Sequence, residues 1–355
     1  MFMLPDPLTR SSATTVKWKG REWLYFGGCD YLGMSWNKRV RSTLIRGLNA
    51  GGASASASRT TTGNNPAYPR LEEKLADFFQ VQSATLVPTG YLTNLAAMQA
   101  LDVPRVALDE RAHPSLVDAT RVLGVPTVRF KSADVTGLER KLRGRPALVA
   151  TDGVFAPDGA ISPIAKYLQV MPGGSWLLVD DAHGAGVLGA NGRGTVEYAG
   201  AKMNRVIQTI TFSKAFGVAG GAVLAARKVR KNMMERTGVV IASTPIAPYQ
   251  AKAIEVSVDL IRRGACRRKL KRNCEFLGSL IGEELPFPII NRSFESLHEV
   301  NRLKESLQKN GIHPPFINYP GGARGGFFRF AISAEHTRVD LKALANSLNC
   351  SAPEE

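Results

Sequence analysis

Lys214 stands in the run Thr211-Phe212-Ser213-Lys214-Ala215-Phe216-Gly217, after the strand-like residues Arg205 to Ile210 and before Val218-Ala219-Gly220-Gly221. Hydroxyls just before a lysine and glycines just after it, at the exit of a buried strand, describe a held amine better than a solvated one. In a dry, glycine-lined site such an amine has a lowered pKa and forms a Schiff base with a carbonyl compound, pyridoxal phosphate included. A lysine that merely ends a strand is the bland alternative, and this stretch alone does not choose between them. A second reactive group is Asp180-Asp181-Ala182-His183-Gly184, at the end of the apolar run Trp176 to Val179. A carboxylate buried there needs a cationic partner. A protonated pyridine nitrogen would serve Asp180; a divalent metal or a solvated turn would also suit these residue types.

The elements that must position these groups alternate. Val106 to Asp109, Thr127 to Phe130, Ala147 to Thr151, Trp176 to Val179 and Arg205 to Ile210 read as strands, and helical patterns fall between several of them. That alternation predicts an α/β domain with a largely parallel sheet, whose ligands gather at the carboxyl ends of the strands. His113, Asp152 to Gly159 and Asp180 to Gly186 all fall at such ends. Pro88-Thr89-Gly90-Tyr91 lies between a short strand at Ala84 to Val87 and a helix, and a glycine turn opening a helix makes a phosphate cradle. Earlier, Thr15 to Lys19 and Trp23 to Phe26 read as a hairpin about a Gly20-Arg21-Glu22 turn. Gly51 to Asn65 reads as a linker, in which Arg59 suits an anion site or a subunit contact. Later, a helical run from Tyr249 to Leu280 carries the chain toward a small α+β domain. The division expected is an N-terminal segment with the hairpin (1–35), a large domain (36–258) and a small C-terminal domain (259–355).

Composition narrows the class. With 355 residues and 44% hydrophobic content the chain can bury a large core. No apolar run suits a membrane span and the start lacks the pattern of a secretory signal, so the expected location is the cytoplasm. Cys29, Cys266, Cys274 and Cys350 have no metal-ligand spacing and read as free thiols, with no metal site indicated. The net charge of +16 suits an anionic substrate or surface. The densest basic run, Arg262 to Arg272, has no interleaved aromatics and reads as a solvated helix face rather than a nucleic-acid patch.

Taken in order, Tyr31-Leu32-Gly33, Ser58-Arg59 with Thr62-Gly63-Asn64, Thr89-Gly90-Tyr91, Asp109 with His113, Asp152-Gly153-Val154-Phe155 with Asp158-Gly159, Asp180-Asp181-Ala182-His183-Gly184, Gly192-Arg193-Gly194, Thr211 with Lys214, Ser243-Thr244 and Arg329 resemble the α-oxoamine synthases. These are fold-type I pyridoxal-phosphate enzymes that condense an amino acid with an acyl-CoA. The match runs from about residue 24 to 348. Thr211 to Gly220 is most similar to the biotin-forming branch, which uses alanine and a pimeloyl thioester, while Ala150 to Phe155 is more similar to the branch that acetylates glycine. The resemblance implies a large domain with a mostly parallel sheet, a small C-terminal domain, and a homodimer with its site at the subunit interface. It implies that Lys214 holds pyridoxal phosphate and then removes the substrate's Cα proton, and that Asp180 keeps the ring nitrogen protonated. His113 would stack on the ring and His183 would bond near its oxygen, with Asp152 also in the cofactor shell. Thr89, Gly90, Tyr91 and Thr211 would hold the phosphate, with Thr244 reaching it from a second subunit. Arg329 would clamp the substrate carboxylate.

Two departures fall near the substrate: Cys29 where the family has asparagine, and Ala156 where it has serine. They bear on which amino acid is used and whether the acyl donor is a CoA or a carrier-protein thioester. The functions to weigh are therefore decarboxylating acyl transfer, an aminotransferase or racemase on the same fold, and a non-catalytic basic binding protein. No nucleic acid and no membrane are expected among the partners.

Overall fold

Apolar strands alternating with helices are buried most completely when the strands form a parallel sheet with helices on its faces. The computed structural model of the chain describes residues 5–318 and 325–349. Three strands come first, β1 (Thr9–Arg10), β2 (Thr15–Trp18) and β3 (Arg21–Tyr25). β2 and β3 form the expected hairpin, with Trp18 opposite Arg21. The turn is therefore Lys19-Gly20, earlier than the sequence suggested. Both residues take positive φ, 49° and 74°, which lets a two-residue turn follow the twist of its strands.

The central sheet contains β4 (Ser83–Val87), β5 (Val106–Asp109), β6 (Thr127–Phe130), β7 (Leu148–Asp152), β8 (Trp176–Asp180), β9 (Val206–Thr211) and β10 (Gly221–Ala225), in the spatial order β4-β10-β9-β8-β7-β5-β6. Neighbours are parallel except at β10, which runs antiparallel to β4 and β9. β7 and β9 are buried along their whole length, whereas the edge strand β6 is partly exposed. Parallel pairing brings the carboxyl ends of β5, β7, β8 and β9 to one edge of the sheet, and with them Asp109, Asp152, Asp180 and Thr211. The remaining strands are β11 (Ile289–Arg292), β12 (Ile312–His313), β13 (Phe316–Ile317) and β14 (Phe327–Ala331). β11, β14 and β13 make an antiparallel sheet, and β12 pairs in parallel with β3.

Two compact units result. One comprises Asn37–Phe155 and Ala160–Gly264; the other comprises Met1–Trp36, Ala156–Gly159 and Ala265–Glu355. The N-terminal hairpin thus clusters with the C-terminal residues, in keeping with the β3–β12 pairing. The helical run expected over 249–280 is two helices, Pro248–Arg262 and Ala265–Ile281. They part at Gly264, whose φ of 74° is open to glycine and interrupts a helix. Among the described residues no helix is long and apolar enough to cross a membrane.

The anion-site reading of Arg59 is corrected by its surroundings. Both terminal nitrogens of its guanidinium bond to Glu72, which also accepts from Arg230 Nη2 at 2.9 Å and from the Leu86 N–H at 3.0 Å. Arg59 and Glu72 are both buried, with side chains 7% and 4% exposed. Removing one partner of a buried ion pair strands the other. Glu72→Ala is expected to lose about 3–5 kcal/mol of unfolding free energy in denaturant titrations; a loss below about 1 kcal/mol, the range of surface pairs, would contradict this account.

Candidate active site

The edge of the sheet is built from strand ends and from the helices that follow them. β4 leads through Thr89 into the helix Gly90–Gln99, and the Thr89 hydroxyl accepts the Leu92 N–H at 3.4 Å as an N-cap. This helix start lies against Thr211 at the end of β9. A Cβ on Gly90 would come within 2.5 Å of Thr211 Cβ and 2.6 Å of its Oγ1, so only glycine permits the approach. Thr211 Oγ1 also lies 2.8 Å from Ser213 Oγ. Free N–H groups, the positive end of a helix and two hydroxyls make a donor set for a phosphate.

One turn into the same helix, Asn94 is fully buried. Its Nδ2 donates to Asp180 Oδ2 at 2.6 Å, and its Oδ1 accepts from Thr209 Oγ1 at 2.7 Å. The Ala182 N–H donates to Asp180 Oδ1 at 3.1 Å, and Ser115 Oγ lies 3.5 Å from Oδ2. These donors are all neutral. A buried carboxylate so held still favours a cation beside it. Sequence reasoning missed Asn94, Ser115 and Thr209; the one signal was an amide inside the segment Leu92 to Met98, whose only other polar residue is Thr93.

His113 caps the helix Pro114–Leu123. Its Nδ1 accepts the Ser115 N–H at 3.2 Å and lies 2.7 Å from Ser115 Oγ. Nδ1 as acceptor assigns the ring proton to Nε2 in the neutral imidazole. The protein atoms around the ring lower its pKa by desolvation, with Asp180 opposing and Lys214 adding to the shift. The Tyr91 ring stands edge-on to it, with centroids 6.1 Å apart. The His113 backbone N–H donates to Asp152 Oδ2 at 2.8 Å. Burial pushes Asp152 well above the usual carboxylate range, and the charge of Asp180 pushes the same way.

Lys214 Nζ lies 2.7 Å from His183 Nε2. Lys214 is half-buried and His183 is buried. The loop that carries His183 is tied down by Asp181, a fully buried carboxyl bonded to Thr195 N at 2.8 Å, Thr195 Oγ1 and Gln208 Nε2 at 2.6 Å.

The structure therefore joins Gly90 with Thr211, His113 with Asp152 and, through Ser115 and Asn94, with Asp180, and His183 with Lys214. Thr244 is exposed and, among the described residues, no hydrogen bond ties it to these groups. Arg329 and Cys29 belong to the other compact unit, where Arg329 Nη2 lies 3.8 Å from Cys29 Sγ. Arg329 Nε is buried and has no hydrogen-bond partner among the described residues, a state that suits an incoming carboxylate. Ala156, half-buried, opens the strap Ala156–Gly159 of that same unit. Cys29, Cys266 and Cys274 form no disulfide among the described residues, and Cys350 lies outside them.

These donor sets fit pyridoxal phosphate: a phosphate cradle where a Cβ would intrude, a buried carboxylate held by neutral donors, and an amine beside an imidazole. Comparison with known proteins agrees. The model of the family "Aminotransferase class I and II" matches residues 21–348. An 8-amino-7-oxononanoate synthase of Methylococcus capsulatus (strain ATCC 33009 / NCIMB 11132 / Bath) is 33% identical, over 96% of this chain and 92% of its own. A solved structure of SPT with PLP superposes with a TM-score of 0.90 at 25% identity, covering 97% of this chain and 90% of that one. The 8-amino-7-oxononanoate synthase of Francisella tularensis shares the fold, with a TM-score of 0.79 at 23% identity over 93% and 96% of the two chains.

Burial raises the Asp181 carboxyl from 3.8 to about 6, against the pull of its hydrogen bonds. The folded protein therefore holds this proton more tightly than the unfolded chain. Its contribution to stability is full below about pH 4 and is lost as the pH rises through about 6. Unfolding titrations across that window should show wild type losing about 3 kcal/mol relative to Asp181→Asn, which lacks the titration. Parallel pH profiles for the two proteins would contradict this.

Proposed function

The chain belongs to the aminotransferase class I and II family, and on that premise we propose that it is a pyridoxal-phosphate-dependent acyltransferase. In this reading it joins an amino acid to an acyl thioester, with loss of carbon dioxide, to give an α-aminoketone. The observation that carries the reading is the 2.7 Å contact of Lys214 Nζ with His183 Nε2 at the sheet edge that also holds Asp180 and His113. The relatives that are about a third identical over nearly the whole chain are 8-amino-7-oxononanoate synthases, which supports acyl condensation over transamination or racemisation.

When bound, pyridoxal phosphate supplies an aldehyde for an amine and an electron-poor ring that stabilises negative charge on the adjacent carbon. The chain's own groups do the rest. Lys214 Nζ would be the amine that holds the cofactor's aldehyde and would serve as base toward the substrate's Cα proton, with His183 Nε2, 2.7 Å away, placed to share that proton. Asp180, fixed by Asn94 and the Ala182 N–H, would face the ring nitrogen and favour its protonated form. Neutral His113 offers a flat face without adding positive charge. The helix start at Thr89, Gly90 and Tyr91, with Thr211, takes the phosphate. Arg329 would take the amino acid's carboxylate through the edge that carries Nε, which has no acceptor among the described residues.

The acyl thioester is a CoA or carrier-protein derivative, and the positive net charge suits either anionic donor. The same reading includes a homodimer, supported by the exposure of Thr244 and Tyr91 on the single chain, and a cytoplasmic location.

The test adds amino acids singly to the protein loaded with pyridoxal phosphate, then an acyl-CoA, and follows free thiol and carbon dioxide. Release of both, dependent on one amino acid, is expected. Lys214→Ala should reduce the rate at least about a thousandfold, as loss of a general base does. Keto-acid formation without thiol release, or full turnover by Lys214→Ala, would overturn the reading.

A further inference from the structure

Three carboxyls end neighbouring strands: Asp109 on β5, Asp152 on β7 and Asp180 on β8. Asp152 and Asp180 are paired directly in register, on strands that run about 4.8 Å apart, so their side chains leave the sheet on the same face. All three are buried. They differ in how they are solvated by the protein. Asp109 accepts from Arg111 N at 2.9 Å, Thr151 Oγ1 at 2.9 Å and Ser132 Oγ. Asp180 accepts from Asn94, Ala182 N and Ser115. Asp152 has a single donor among the described residues, the His113 N–H.

Adjacent buried carboxyls in like-charge repulsion share protons, and the proton settles on the one least served by donors. From this geometry we propose that Asp152 and Asp180 carry one negative charge between them, with Asp152 the protonated member, a neutral positioning residue that fixes His113 through its backbone N–H. The charge at this edge then rests on Asp180, where the ring nitrogen needs it. The groups that bear on Asp152 are Asp180, Asp109, His113 and Lys214. Its burial pushes toward the protonated form, and Lys214 alone among the charged neighbours opposes this.

The inference rests on the proposed site, yet its main test needs no cofactor. Infrared difference spectra of the full chain, wild type minus Asp152→Asn at neutral pH, should contain the carbonyl band of a protonated carboxylic acid, both with and without pyridoxal phosphate. A carboxylate band in its place would overturn the proposal even if the protein proved to be the proposed enzyme. Conversely, the acid band would stand even if turnover were never found. Cofactor titration gives a second readout. Asp152→Ala should weaken pyridoxal phosphate binding about tenfold, by stranding the His113 N–H, and Asp152→Asn should recover most of that loss. Equal losses in the two variants would mean that the charge of Asp152, rather than its acceptor oxygen, matters, and would reject the neutral role.

Discussion

A carboxylate at the buried end of an apolar strand is the constraint around which this sheet edge is arranged. The buried Asp180 side chain needs donors around it, and those donors come from three separate places. Asn94 comes from the helix that follows β4, Ser115 from the helix that follows β5, and the Ala182 N–H from the loop after β8 itself. Each donor is in turn fixed. Thr209 of β9 holds the Asn94 amide in the orientation that turns its nitrogen toward Asp180, and His113 closes the chain through Ser115. Solvating one buried charge thus draws the helix start at Gly90, the His113 cap and the ends of β8 and β9 to one place.

Parallel pairing makes this economical in chain. Because β5, β7, β8 and β9 run the same way, their exits share an edge without any long loop having to return to it. The price is crowding of acidic groups, since three of those strands end in aspartate. Among the described residues the crowding is relieved unequally, by several donors for Asp109 and Asp180 and one for Asp152. The close approach of Gly90 to Thr211 belongs to the same economy. It lets a helix start and a strand end on the antiparallel side of the sheet meet at contact distance, which any side chain at position 90 would prevent.

Much of this was legible in the sequence because it is written in local patterns. The strands show as short apolar runs, and the polar residues that end them are conspicuous by type. Lys214, Asp180, His183 and His113 could be singled out for that reason. What stayed hidden depends on contacts between distant segments. Nothing local says that Asn94 bonds both Asp180 and Thr209, or that Arg59 is neutralised by Glu72. The break at Gly264 was obscured by the strong helical pattern on both sides, where one glycine with positive φ outweighs the continuity of the charged face. The hairpin turn was displaced because Lys19, not Gly20 alone, takes the left-handed conformation.

The two compact units separate what resembles the α-oxoamine synthases closely from what departs from them. Lys214, His183, Asp180, His113 and the Gly90–Thr211 contact all lie in the unit built on the central sheet. Cys29 and Ala156 both lie in the other, together with Arg329. Asparagine at position 29 would place an amide near the guanidinium; a thiol is a weaker donor and acceptor, and at 3.8 Å it makes a long contact with Nη2. The buried Nε of Arg329 has no hydrogen-bond acceptor among the described residues. A buried guanidinium edge without an acceptor is costly, and an incoming carboxylate removes that cost on binding. Under the proposed function, the exchange of asparagine for Cys29 would shift orientation of the substrate's carboxylate from an amide to the guanidinium.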